Sequence, residues 1–340
     1  MPASTIAKKA LLVGIQYKAG ACPANHDLGE LVSTHNDVAR FTKLLTKIYG
    51  YNAKDITTLI DADDVPRKFW PTKDNIEMAM RNLVGGSRRG DHIVFMYSGH
   101  GDQAVSIKDE MEEDGMDEIL LPVDCKLVDP ETREYANFIR DDTIREIFVD
   151  GIEKGVLCNL IFDCCHSGTA CDLPNVEPGS PTSPTLSPIV PSPTTTRACH
   201  LGARGFAQME TLHHEHANAI SGTPADDRTL VKQVTSWSAC RDGESTYCTK
   251  DGGIFINAFI NTLREPGNQH PTHRKLLQVL RRVPKNTKRF VDAAARNRKY
   301  MARRDSLPFA VPVDFQVDEV PRPQLGSLQL KSILHERFTL

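Results

Sequence analysis

Apolar positions gather in three runs, at residues 10–17 (ALLVGIQY), 92–98 (HIVFMYS) and 156–163 (VLCNLIFD), each rich in branched or aromatic residues and without strict polar alternation. That pattern is expected of strands covered on both faces. Weaker strand signals lie at 56–60 (ITTLI), 118–123 (EILLPV) and 235–240 (TSWSAC). Helical spacing falls between them. Residues 36–49 carry a stripe of Val38, Phe41, Leu44, Leu45 and Ile48, which suits a helix with one buried face. Thr72 is placed to cap a helix over 75–83, and Asp141 or Asp142 to open one over 143–149 with acids that favour a helix N-terminus. Residues 254–263 and 273–283 have similar spacing. Strands alternating with helices predict an α/β fold, with helices on both faces of a mainly parallel sheet.

One segment breaks the pattern. Residues 174–196 read PNVEPGSPTSPTLSPIVPSPTTT, too poor in apolar surface to offset their ordering entropy. The polar, aperiodic stretch continues to about residue 232. The expected organisation is a large part over 1–173, a flexible linker over 174–232 and a small part with a C-terminal tail over 233–340, the outer two forming one composite domain. Beyond residue 283 the basic stretch 285–304 reads as a solvated helix and tail.

Composition narrows the function. The 340 residues are 40% hydrophobic and 25% charged with a net charge of −3, so a sizeable core is available and no basic field calls for nucleic acid. No run of about 18 apolar residues is present to span a membrane. The start of the chain lacks the order of regions that marks a signal peptide. The expected compartment is the cytosol, with the nucleus also open. Nine cysteines, an odd number with no CxxC pair, favour reduced thiols over a disulfide frame or a structural zinc site.

Two strand ends carry chemistry. The run at 92–98 leads into Tyr97-Ser98-Gly99-His100-Gly101, and the run at 156–163 into Asp163-Cys164-Cys165-His166-Ser167-Gly168. Functional groups of open α/β sheets collect at the carboxyl ends of strands. A cysteine there needs only a nearby imidazole to become largely thiolate. Glycines beside His100 leave room for a substrate backbone. The amides of Gly101 and Gly168 are candidate donors to an oxyanion. A lone cysteine or histidine at such a place is usually structural; the two together, each after an apolar strand, are far more specific.

YSGHG with D-x-C-H-S-G resembles the metacaspases, caspase-related proteases of fungi, plants and protists, in their fungal and protist type I-like form. Asn36-Asp37-Val38 resembles their N-D-A/V motif, Asp114-Gly115-Met116-Asp117-Glu118 followed by Pro122-Val123-Asp124 their DGxDE…PxD stretch, and SWSACRDGEST at 236–246 the opening of their small subunit. The likeness covers most of residues 8–265. The first core strand begins at residue 10, so the prodomain of many fungal members is not evident.

The resemblance implies a caspase-like three-layer sandwich and a cysteine endopeptidase with Cys165 as nucleophile and His100 as base. Cys164, one position earlier, points to the other face of the strand as a core thiol. The resemblance also implies cleavage of protein or peptide substrates after Arg or Lys, by a monomer. A cationic side chain then needs an anionic pocket. Asp163 and Ser98, each two residues before a catalytic residue, share the catalytic face of their strands. Asp37 joins them by resemblance, and Thr34 stands where the family commonly has a cysteine. Four further acids, Asp117, Asp141, Asp142 and Asp172, match positions that bind Ca2+ in calcium-activated members. Oxygen-rich sites of this kind suit that ion. The acidic run of Asp109, Glu110, Glu112, Glu113 and Asp114 reads as a solvated loop. Self-cleavage is expected in the linker after Lys232, Arg228, Arg204 or Arg197. Three alternatives compete. The first is a caspase-like module with weak catalysis and a binding or quality-control role. A legumain-like protease would need secretion. A zinc site at His213, His214, Glu215 and His216 lacks a helical frame.

Overall fold

The three strong apolar runs lie side by side in one seven-stranded sheet of the computed structural model, which describes residues 6–18, 28–106, 115–129, 131–132, 134–168, 170–173, 175–176, 231–242, 244–246, 248–249, 252–296 and 320–340. Its strands are β1 (Lys8–Gly14), β2 (Ile56–Ile60), β3 (His92–Ser98), β9 (Leu157–Asp163), β10 (Asn175–Val176), β11 (Gln233–Ser238) and β14 (Gln324–Ser327), in the order β10-β14-β11-β9-β3-β1-β2. From β2 to β11 every pairing is parallel; β14 runs antiparallel to both β11 and β10.

Strand period sorts the core into two layers. Leu11, Val13, Phe95, Cys158, Leu160 and Phe162 join Ile76, Met80 and Leu83 of α2 (Lys73–Val84) and Ile144 of α3 (Asp141–Arg145). Leu12, Val94, Met96, Ile161 and Trp237 meet α1 (Thr34–Lys47), α4 (Ile254–Arg264) and α5 (His273–Arg296) on the other face. The result is the expected three-layer α/β sandwich. The stripe on α1 buries Val38, Phe41, Leu44 and Leu45 as its spacing requires. The Thr72 hydroxyl caps α2 by accepting from the Asn75 amide. α3 widens into a π-helical turn over Glu146–Asp150.

The run expected at 118–123 forms a strand slightly earlier, β5 (Met116–Leu120). It lies outside the main sheet, between β4 (Gly101–Val105) and β8 (Ile139–Arg140), because β4 turns back from β3 and takes β5 as an antiparallel partner. A hairpin of β6 (Lys126–Asp129) and β7 (Glu134–Ala136) and a small pair, β12 (Cys248–Thr249) with β13 (Gly252–Gly253), complete the strands.

Two expectations need correction. Residues 320–340 are no solvated tail. They supply β14 and the short helix α6 (Leu330–Ile333), and Leu325, Phe338 and Leu340 are fully buried. The Phe338 ring sits 5.2 Å from that of Trp237, 5.3 Å from His273 and 5.7 Å from Phe259, so aromatic contacts secure the segment. Also, Asn175–Val176, placed in the linker from sequence, pairs with β14. Met1–Gly179 and Leu230–Leu340 form one compact unit.

Candidate active site

β3 and β9 pair in parallel with Ser98 opposite Asp163, and the Gly99 amide donates to the Asp163 carbonyl at 3.4 Å. His100 and Cys165 therefore each stand two residues past a paired position on neighbouring strands. The backbones stay close beyond the sheet edge: a Cβ on Gly101 would lie 2.5 Å from the Cys165 carbonyl oxygen. Only glycine permits that approach. Cys164 is 1% exposed within the α2 layer, whereas Cys165 is partly exposed. Burial pushes the Cys165 thiol up. The Thr246 amide and Ser245 hydroxyl pull it down by hydrogen bonding, against the charges of Asp163 and Asp102.

His100 is held from several sides. Its Nε2 lies 2.9 Å from the Gly29 carbonyl oxygen; a carbonyl only accepts, so Nε2 carries the proton and Nδ1 is the basic nitrogen. The His100 amide donates to the Tyr17 hydroxyl at 2.9 Å, and the two rings stand 4.6 Å apart. Tyr17 in turn donates to the Leu121 carbonyl at 2.5 Å and touches the Tyr97 hydroxyl at 3.2 Å. Burial lowers the His100 pKa, with the Gly29 hydrogen bond and the Asp102 charge acting against it.

Tyr17 itself has left-handed backbone, φ 54°, a costly conformation for an aromatic residue. Asp61, 1% exposed at the end of β2, fixes it by accepting the Gln16 and Tyr17 amides at 2.8 Å each, with His35 Nε2 at 2.7 Å. Burial would raise the Asp61 carboxyl, but these partners outweigh it and hold it below the ordinary range. Sequence reasoning missed Tyr17, Tyr97 and Asp61. Tyr17 and Asp61 also sit at carboxyl ends of core strands, the one signal that would have found them.

The acids expected in a pocket do converge. The Ser98 hydroxyl donates to Asp37 Oδ2 at 3.0 Å, and the Gly253 amide to both Asp37 oxygens at 3.2 and 3.1 Å. Asp163 accepts from the Thr246 hydroxyl and the Ile256 amide, each at 3.2 Å. Both carboxylates thus meet the N-terminal turn of α4, where free amides and the helix dipole favour negative charge. A Cβ on Gly252 would collide with Asp37, and one on Gly253 with Asp163; Gly252 also has φ +132°. These glycines and Thr246 were not picked out from sequence. Burial first, and the Asp163 charge second, hold Asp37 above the ordinary carboxylate range, and burial does the same to Asp163. Thr34 is 2% exposed in the first turn of α1, and its hydroxyl has no hydrogen-bond partner among the described residues.

The other candidates are less assembled. Asp117 is ion-paired with Arg140, which also donates to the Val105 carbonyl at 3.2 Å. Asp141, 1% exposed, accepts the Glu118 and Asp142 amides at 2.7 Å each, and burial followed by the Asp172 charge holds it well above the ordinary range. Asp172 has φ 45°, and its carbonyl accepts from Arg145. Among the described residues, no group of three or more His, Cys, Asp or Glu side chains is arranged to hold a metal ion. Gly168 abuts Asp242 and Gln324, with a would-be Cβ 2.7 and 2.8 Å from their side-chain oxygens. Lys232 donates to the Val149 and Asp150 carbonyls at 2.8 and 2.9 Å. Arg197, Arg204, Arg228, the acidic run at 109–114 and the cluster at 213–216 lie outside the described residues.

Residues 8–174 match the family model of the metacaspase, peptidase C14 domain. Metacaspase-1 of Pyricularia oryzae is 32% identical over 296 residues, covering 81% of this chain and 68% of that protein. The chain belongs to the metacaspase family. Metacaspase-1B of Aspergillus oryzae is 35% identical over 291 residues, 82% of this chain and 65% of its own length. Metacaspase-1 of Cryptococcus neoformans is 31% identical over 295 residues, 81% and 59%. The chain thus spans 59% to 68% of the length of these metacaspases. No described helix is long and apolar enough to cross a membrane.

The buried acid pair has a consequence for stability. Unfolded aspartates titrate near about 4, whereas Asp37 and Asp163 keep a proton to higher pH when folded. Their contribution is complete below the unfolded value and is lost as pH rises through the folded titration. Asp163→Asn removes that loss. The variant is expected to gain on the wild type in unfolding temperature between pH 4.5 and 7.5, measured by circular dichroism. Parallel pH profiles for the two proteins would refute the paired-acid reading.

Proposed function

We propose that this metacaspase is a cysteine endopeptidase cutting after Arg or Lys, with Cys165 as nucleophile, His100 as base and calcium as activator. The observation that carries the reading is the register of β3 and β9, with Ser98 opposite Asp163 and His100 and Cys165 two residues beyond. His100 Nδ1 takes the Cys165 proton while the Gly29 carbonyl steadies Nε2–H. The thiolate adds to the scissile carbonyl, with the amides of Gly101 and Gly168 as candidate donors to the oxyanion. The imidazolium then protonates the leaving amine, and water releases the acyl group with His100 again as base.

The preference follows from the acids. An incoming guanidinium or ammonium lets Asp37 and Asp163 ionise together, and charge-assisted hydrogen bonds are worth about 1.5–3 kcal/mol each. An acidic side chain would meet only repulsion. Peptides ending in Arg or Lys should be cleaved about 1,000-fold faster than an Asp peptide, and Asp37→Asn should lower the Arg rate about 100-fold. A fluorogenic peptide panel, with Cys165→Ala as the inactive control, checks this. Cleavage after Asp alone would overturn it.

The calcium reading rests on Asp141, a buried carboxylate whose charge is disfavoured first by burial and then by Asp172. Bound calcium would supply the positive charge that lets them ionise beside Asp142, with Asp117 free to join once released from Arg140. Asp172, seven residues past Cys165, links that site to the catalytic loop. Self-cleavage in the linker belongs to the same reading. Lys232, its ammonium held by two carbonyls, must first be released to serve as the cleavage site. Saturating calcium should stabilise the fold by about 2.7 kcal/mol at 100 times its Kd. Thermal melts should show this for the wild type and not for Asp172→Asn. Identical wild-type melts in calcium and in EDTA would remove calcium from the account.

A further inference from the structure

Asp102 follows His100 by two residues on β4 and is 5% exposed. Its Oδ2 accepts the Tyr135 hydroxyl at 2.6 Å, and its Oδ1 accepts the Gln103 amide at 2.9 Å. The same Oδ1 faces His166 Nε2 at 3.9 Å. His166 directly follows Cys165 and is itself constrained. Its backbone is left-handed at φ 48°, and its amide donates to the Glu244 carbonyl at 3.1 Å. Left-handed backbone is uncommon for a non-glycine residue, and such positions cluster at functional sites. A buried carboxylate and a second imidazole thus flank the thiol and its base.

We infer that Asp102 and His166 form a charge pair that sets how readily Cys165 and His100 ionise, both acting as positioning residues for the proposed reaction. The inference rests on the dyad reading. The Asp102 carboxylate favours an imidazolium at His100 and opposes a thiolate at Cys165. Below about pH 6.5, where a histidine ordinarily carries its second proton, an imidazolium at His166 neutralises that carboxylate and adds positive charge beside the sulfur. The two residues therefore push the thiol in opposite directions. Among the described residues, these titratable groups lie around Asp102. Tyr135 comes from the β7 hairpin and Cys125 from the turn before β6. Glu118 on β5 has its Oε1 bound by Gln103 Nε2 at 3.1 Å. Asp163 acts on Cys165 from the pocket side.

The test is the pH dependence of Cys165 alkylation by iodoacetamide in the full chain, located by peptide mass spectrometry and needing no substrate. Asp102→Asn keeps an acceptor for Tyr135 and should move the alkylation midpoint down by about one pH unit, roughly tenfold faster labelling below the midpoint. His166→Asn keeps a residue that tolerates left-handed backbone and should slow labelling below about pH 6.5, where a histidine ordinarily carries its second proton, while leaving the midpoint in place. Loosened packing would shift both variants the same way. An unmoved Asp102→Asn midpoint, or His166→Asn labelling that is not slowed at low pH, overturns the pairing, and His166→Asn alone decides if Asp102→Asn does not fold. A Cys165 that stays inert while other thiols label overturns the dyad, and the pairing with it.

Discussion

The parallel register of β3 and β9 is the constraint on which the site depends. Side chains alternate along a strand, so one pairing decides which residues face α2 and which face α4. With Ser98 opposite Asp163, the residues Phe95, Tyr97, Leu160, Phe162 and Cys164 all enter the α2 layer. Ser98 and Asp163 are left facing α1 and α4. A slip of one residue would bury Cys165 in the core and send Cys164 to the edge. The hydrophobic demand of the two strands and the placement of the chemistry are the same requirement.

The second problem the fold solves is electrostatic. Two carboxylates buried side by side would be costly without partners. The first turn of α4 offers otherwise unsatisfied amides, and the Gly252–Gly253 approach lets both acids reach it. The far end of the sequence supports the same region. The Arg322 Nε donates to the Glu244 carboxylate at 2.5 Å, and the Glu244 carbonyl receives the His166 amide at 3.1 Å. β14 therefore ties the 244–246 loop, which hydrogen-bonds Cys165, into the main sheet.

Much of this was legible because the strand and its chemistry are contiguous. YSGHG and DCCHSG each follow an apolar run, and period two already grouped Asp163 with Cys165 and Ser98 with His100. Asp37 and Thr34 came from likeness to the family, and the structure brings Asp37 to Ser98. What stayed hidden depends on distant neighbours. Tyr17 acquires its role from a residue 83 positions away, and its own backbone is fixed by one 44 positions away. β14 is four residues long with one large apolar side chain, so no periodicity marked it. The pairing of Asp117 with Arg140 was equally invisible, since either residue alone reads as solvated.

The most direct test of the account is covalent labelling with a peptidyl-arginine chloromethyl ketone, followed by peptide mapping. The account predicts a single adduct on Cys165, formed much faster than with the aspartyl analogue. An adduct on Cys164 or another thiol, or equal rates for the two reagents, would contradict it.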